Sequence, residues 1–219
     1  MKNIAVLGLG IFGRTIAKEL SQFECDVLAI DMNEQLVEEI SEYVLKTAVG
    51  DMTQLDFLEA AGVGECDVAI IATGTRLESS VLSVMHCKTL GVKQIIAKAK
   101  NESFASVLQA LGVNQVITPE KKAGQQLAHQ LLKNKIKEMI ALDEHMTIVE
   151  FQAPTKWIGK SIIDLDIRQK YGVNLIGIKD SSGKINAKLD IHHIIEQDTS
   201  FVGIAETQLF LETDFLGEL

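Results

Sequence analysis

The chain lacks any run approaching the roughly 20 consecutive apolar residues that a membrane-crossing helix requires. Any membrane process it serves is therefore expected to be reached from outside the bilayer. A disulfide framework is also missing. Cys25, Cys66 and Cys87 show no CxxC spacing, and their odd count leaves one thiol over, so reduced thiols in a cytoplasm are expected. Positive charge is in deficit: 21 Lys and Arg against 30 Asp and Glu give a net charge of -9, which repels phosphate backbones and argues against nucleic-acid or anionic-bilayer binding. Gly8, Gly10 and Gly13 interrupt the first apolar stretch, and no basic segment leads into it, so no secretory leader is expected. Catalytic signatures are missing as well, since there is neither a GxSxG elbow nor an HExxH pair. The five histidines, His86, His129, His145, His192 and His193, have no ligand partner at metal-binding spacing and are assigned surface or capping roles. Low-complexity segments and fixed-period repeats are absent too.

What is there is an ordinary globular balance, 47% hydrophobic and 23% charged over 219 residues, enough for one large domain or two unequal ones. Up to residue 118, short apolar runs (NIAVL, CDVLAI, LKTAV, DVAIIAT, QIIAKA, QVIT) alternate with stretches of helical spacing, among them Ile16, Leu20 and Phe23, and Val81, Leu82, Met85 and Leu90. Continuous apolar strands separated by helices predict a parallel sheet covered on both faces, the doubly wound, Rossmann-like α/β class. Thr118 and Pro119 then open a helix expected to run over 119–140, because Ala123, Leu127, Leu131, Leu132, Ile136, Met139 and Ile140 form a broad stripe. A helix joining two bodies would carry such a stripe. Residues 141–219 change character: TIVEF, a loop with Pro154 and Trp157, a short helix near 162–170, then VNLIGIKD and SFVGIAE around an SSG turn. They predict a small α+β lobe.

The segment GLGIFG, from Gly8 to Gly13, follows the first strand and opens an apolar-faced helix, and Asp31 lies 18 residues beyond Gly13 at the end of the next apolar run. In that setting Gly8 permits the tight turn, Gly10 lets the backbone approach phosphates, and Gly13 lets helix and sheet pack closely. Asp31 can accept ribose hydroxyls, and its charge opposes a 2′-phosphate. Gly50-Asp51 and Thr73-Gly74 follow the third and fourth strands, where such sheets meet ligands, although ordinary loop chemistry explains them equally. Lys98 points either to solvent or across the crevice toward phosphates. A dehydrogenase would use this cofactor fold, but the trailing lobe shows no His–Asp or Lys–Tyr arrangement for proton transfer. An NAD-dependent oxidoreductase is the competing reading.

The order GLGIFG, IDMNE, VGDMT, AIIATG, IIAKAKN, ITPEKKAG and WIGKSIIDLDIRQKYGVNLIGI resembles the cytosolic regulatory subunits of Trk/Ktr-type bacterial potassium-uptake systems, over nearly the whole chain. That resemblance implies a regulator-of-potassium-conductance (RCK) domain with a TrkA-N lobe and a TrkA-C lobe. It implies that an adenine nucleotide, ATP, ADP or NAD(H), is bound. It further implies a homodimer assembling into a tetrameric or octameric ring, and an integral-membrane potassium channel or transporter subunit as partner, so that the protein is cytoplasmic and peripheral to the membrane. By matched position it assigns the phosphates to Gly8, Gly10 and Gly13, the ribose to Asp31, the nucleoside side to Asp51 and Thr73, and the terminal phosphates to Lys98, with Ile11, Phe12 and Gly74 counted among the nucleotide-binding residues. It marks Glu120 as matching the acid that in some members binds a divalent cation such as Mg²⁺ or Ca²⁺ near the nucleotide at the dimer interface, although an acid at a helix N-terminus needs no metal to be placed there. Ile162, Ile163, Arg168 and Asn174 match a cyclic di-AMP site in some members; isoleucines in a core and an arginine paired with an acid are the plainer reading. Many ATP-sensing members carry, where this chain has Ile11, an arginine that reaches a γ-phosphate across the dimer; an aliphatic side chain offers no such donor, so weaker discrimination of ATP from ADP is expected unless Arg14 compensates.

Overall fold

The computed structural model describes residues 2–74, 76–132, 136–143, 145–179 and 183–211. It divides into two compact units, residues 1–122 and 123–219.

The first unit holds six strands: β1 (Asn3–Leu7), β2 (Asp26–Asp31), β3 (Lys46–Val49), β4 (Val68–Ile71), β5 (Gln94–Lys98) and β6 (Gln115–Ile117). They pair in parallel in the order β3-β2-β1-β4-β5-β6. Successive side chains of a strand point to opposite faces, and here both sets are apolar. Ala5, Leu7, Leu28, Ile30, Ala69 and Ile71 enter one core; Ile4, Val6, Val27, Ala29, Val68 and Ile70 enter the other. Helices α1 (Ile11–Gln22) and α2 (Glu34–Ser41) cover the second core. The first is covered by α3 (Leu55–Ala61), α4 (Leu77–Thr89) and α5 (Glu102–Ala110). The expected doubly wound α/β fold is therefore present, and the chain reverses direction across the sheet between β1 and β4.

The expected face of α4 is not the one that packs. Ser80, Ser83, Val84 and Cys87 are buried, whereas Met85 is exposed. The two serines tolerate burial because their hydroxyls donate to carbonyls: Ser83 to Ser79 and Met52, at 2.8 and 3.1 Å, and Ser80 to Arg76 at 3.3 Å. Small residues at i, i+3, i+4 and i+7 let α4 lie close to the sheet.

The helix expected over 119–140 ends sooner. Helix α6 spans Pro119–Leu132, and Ile136–Ala141 forms strand β7. Ile136, Met139 and Ile140 fit helical spacing, but antiparallel pairing with β8 (Met146–Gln152) satisfies their backbone instead. Asp143 fixes the intervening turn, its Oδ1 accepting the amides of His145 and Met146 at 2.7 Å each.

The second unit is a five-stranded antiparallel sheet in the order β10-β9-β11-β8-β7, with β9 at Asn174–Lys179, β10 at Ile185–Asn186 and β11 at Ser200–Glu206. Part of the expected SSG turn lies outside the described residues. Trp157, Phe151 and Phe201 are fully buried, with ring centroids about 6 Å apart, and Tyr171 packs on Trp157 at 5.1 Å. The helix expected near 162–170 is two short ones, α7 (Ile162–Leu165) and α8 (Ile167–Tyr171), separated by Asp166 in the left-handed region at φ 46°. A last helix, α9, spans Thr207–Leu211.

Candidate nucleotide site

Where neighbouring strands send their connections to opposite faces, their carboxyl ends leave a crevice. Here the crevice lies between the ends of β1 and β4. Gly8, at the tip of β1, has φ 101°, its amide donates to Ile30 O at 2.8 Å, and an added Cβ would lie 3.1 Å from Thr73 N. A side chain would be strained there and would press on the β4 loop. Gly13 is forced by contact alone, since an added Cβ would fall 1.9 Å from Gly8 O. These two glycines bring α1 directly against the strand ends. Gly10 differs: an added Cβ would meet nothing within 4 Å, so its surroundings are open.

The first turn of α1 has no intrahelical acceptors for its N–H groups. It also carries no acidic residue and no side-chain cap, which leaves the positive end of the helix dipole uncompensated. Anionic oxygens complement such an end. Ile11 and Phe12 stand on this turn, Ile11 81% exposed.

Asp31, at the end of β2, reaches the same loop. Its Oδ2 accepts the Leu9 amide at 2.6 Å and its Oδ1 accepts the Asn33 amide at 2.8 Å. The carboxylate thus holds the glycine loop in place while keeping lone pairs for hydroxyl donors. Asp51 sits in a turn of its own making, where Oδ1 accepts both the amide and the hydroxyl of Thr53 at 2.8 Å. Those bonds, the amide's foremost, hold its carboxyl below the usual carboxylate range.

On the far side, the Lys98 side chain lies along Gly74, whose added Cβ would be 3.5 Å from three of its carbons, with Nζ 5.6 Å from the centre of the Phe12 ring. Its ammonium meets Glu120 Oε1 at 2.5 Å. Lys98, above all, pulls the Glu120 carboxyl below its ordinary value. This contact bears on the expected metal role. Glu120 already faces a cation, and among the described residues no group of three or more His, Cys, Asp or Glu could hold a metal ion. Arg14 is likewise engaged, its guanidinium paired with Glu39 of α2.

The structure therefore gathers Gly8, Gly10, Ile11, Phe12, Gly13, Asp31, Thr73, Gly74 and Lys98 around one crevice, with Asp51 on the loop after β3. The Leu9 amide and the Lys98–Glu120 pair escaped the sequence reading because each joins different elements, and no local spacing reports such a contact. The four residues matched to a cyclic dinucleotide lie in the second unit: Ile162 packs on its core, while Ile163, Arg168 and Asn174 are exposed.

Fold and crevice together define a doubly wound α/β domain of the dinucleotide-fold class, followed by a small antiparallel lobe. The family model described as the TrkA-N domain matches residues 4–119. Ktr system potassium uptake protein C of Bacillus subtilis (strain 168) is 33% identical over 201 residues, covering 92% of this chain and 91% of that protein. The chain belongs to the TrkA-N family and stands with its Ktr-type potassium-uptake proteins. Among solved structures, the GsuK RCK domain matches with a TM-score of 0.66 at 18% identity, covering 99% of this chain and 48% of that one. The GsuK channel bound to NAD matches with a TM-score of 0.66 at 18% identity over 100% of this chain and 40% of that one. This chain thus spans about half or less of those longer chains, and at that identity the likeness is one of fold. No helix among the described residues is long and apolar enough to cross a membrane.

Proposed function

We propose that this protein is a nucleotide-sensing gating subunit of a potassium-uptake system, and that it acts by changing shape rather than by catalysing a reaction. The observation that carries this reading is the open, uncapped and acid-free first turn of α1 beside an Asp31 carboxylate, at a strand-end crevice. Backbone amides take the phosphates, Asp31 takes the ribose hydroxyls, and Lys98 neutralises the far phosphate. ADP, ATP and NAD(H) all present that chemistry. Membership of the Ktr-type group supports a membrane potassium channel or transporter subunit as partner, and a NAD-bound structure of like fold supports the ligand class. A homodimer building a tetrameric or octameric ring, peripheral to the inner face of the cell membrane, completes the reading. The work of gating comes from unequal nucleotide affinity for two ring shapes.

The test is titration calorimetry of the full chain with ADP, ATP and NADH, alongside mass spectrometry of nucleotide retained through purification. Saturable binding of at least one is expected, with small-angle scattering that changes on binding. Absence of binding by all three, or steady oxidation of NADH with a substrate panel, overturns the proposal.

One observation favours an independent ligand in the second unit. Arg168 is exposed and has no ion-pair partner among the described residues, and exposed Ile163 and Asn174 are near it in sequence. This suits an anionic cyclic dinucleotide. A melting temperature that rises with excess cyclic di-AMP, and does not in Arg168→Ala, is the expected result; an unmoved melting temperature removes the reading.

A further inference from the structure

Two ion pairs of opposite polarity fasten the first turn of α6. Glu120 meets Lys98 at the end of β5, and Lys121 meets Glu102 on the first turn of α5. Their settings differ. The side chains of Lys121 and Glu102 are 52% and 81% exposed, so that pair is screened by water and worth little. The Lys98 side chain is only 16% exposed, packed along Gly74 and facing Phe12, both of them crevice residues. Glu120, at 67% exposed, sits at the outer end of the contact.

We infer that the Lys98–Glu120 pair is a latch that bound nucleotide opens: phosphate oxygens on the first turn of α1 compete with Glu120 for the Lys98 ammonium, and their success releases the first turn of α6. The inference rests on the nucleotide reading above and adds how the signal leaves the site. The charges favour the exchange. A diphosphate held by backbone amides presents more negative charge to Lys98 than one carboxylate does, and the largely exposed Glu120 returns to water at small cost. Helix α6 is the element that carries the chain from the first unit into the second, whose residues begin at Ala123. A change in how its first turn is held is thus delivered to the connection between the units. The ligand supplies the free energy through its different affinity for the latched and open forms.

The consequence for affinity has an unusual sign. If Glu120 competes with the ligand, removing its charge strengthens nucleotide binding. The test uses the full chain with ADP and NAD as probes, read by calorimetry and by hydrogen exchange of the α6 amides from Lys122 to Gln125. Glu120→Gln is expected to bind ADP about two- to five-fold more tightly, the factor that one partly exposed ion pair commands. In it, the α6 amides exchange fast even without ligand. In the wild type, ADP is expected to speed the same amides. Lys98→Gln weakens ADP binding, and in that background adding Glu120→Gln changes affinity by less than half the factor seen alone. An equal factor in both backgrounds means mere removal of a repelling charge and overturns the latch, as do ADP-bound α6 amides that exchange no faster than free ones. If neither ADP nor NAD binds the wild-type chain, the nucleotide reading falls and takes the latch with it; binding with an unresponsive α6 removes the latch alone.

Discussion

The backbone amide of Leu9 lies 2.6 Å from Oδ2 of Asp31, so the glycine loop after β1 is tied to the end of β2 across 22 residues of chain. The same carboxylate holds Asn33 through its other oxygen. Asp31 therefore has two tasks, shaping the loop and receiving the ribose. Asp31→Ala leaves both amides without their acceptor and is expected to lower stability by about 1.5–3 kcal/mol, the range for bonds to a charged group. Urea denaturation measures this. Calorimetry should show ADP affinity falling at least about tenfold, a loss of about 1.4 kcal/mol. Retained affinity would mean that the ribose is not bound by Asp31.

Gly10 and Gly13 are three residues apart yet predict opposite outcomes. Gly13→Ala places a Cβ 1.9 Å from Gly8 O, a backbone atom with nowhere to move, and is expected to cost about 3 kcal/mol or more. Gly10→Ala places a Cβ in open space at a φ of -59° that alanine adopts freely, so only the weaker N-cap preference is lost, about 1 kcal/mol or less. If phosphates pass over Gly10, however, that added methyl stands in their path. A well-folded Gly10→Ala chain with nucleotide binding abolished is the expected result. Unchanged binding would place the phosphates elsewhere.

This contrast shows why part of the site was legible and part was not. Gly8, Gly10, Gly13 and Asp31 announce themselves because turn, close approach and ribose acceptor all fall at fixed distances along one strand–helix–strand unit. The strands were legible because both of their faces are apolar. The buried stripe of α4 was hidden, since Ser80 and Ser83 read as polar until their hydroxyls are seen to bond carbonyls of their own turn. The end of α6 was hidden for another reason. Ile136, Met139 and Ile140 satisfy helical spacing, and only the partner strand β8, beyond the Asp143 turn, decides for β7. Contacts such as Arg14–Glu39 and Lys98–Glu120 join separate elements, so their pairing waits on the tertiary fold.

The three thiols divide by burial. Cys87 is fully enclosed, and burial first, then the neighbouring Cys66, pushes its pKa up to about 12; burial also raises Cys66. Cys25 alone is partly exposed. Ellman's reagent at pH 8 is expected to label one thiol per native chain quickly and three in denaturant. The raised values also set a pH dependence. The protonated Cys87 thiol is favoured by the folded state, so its contribution is fully present below the unfolded pKa near 9 and is lost as pH rises toward 12. In that window each unit of pH should cost the fold about 1.4 kcal/mol per thiol. Urea midpoints from pH 8 to 11 should fall less steeply in Cys87→Ala than in the wild type, and parallel slopes would refute the assignment.

Ile11 is the residue on which nucleotide choice is expected to turn. It is 81% exposed on the open first turn of α1, where an aliphatic side chain gives a phosphate no donor. Of the nearby cations, Arg14 is paired with Glu39, and Lys98, once it leaves Glu120, is taken up by the phosphates that ADP already supplies. A third phosphate therefore adds charge without adding a partner, and ATP should bind no more than a fewfold better than ADP. Ile11→Arg restores a guanidinium at a position where nothing must repack. One charge-assisted bond is worth about 1.5–3 kcal/mol, so this variant should favour ATP over ADP by roughly tenfold or more relative to the wild type. Calorimetry with both nucleotides on both proteins decides the matter. A wild type that already prefers ATP tenfold would show that a cation reaches the γ-phosphate from elsewhere, and an Ile11→Arg chain with an unaltered ratio would show that residue 11 reaches no γ-phosphate, in its own chain or across a dimer.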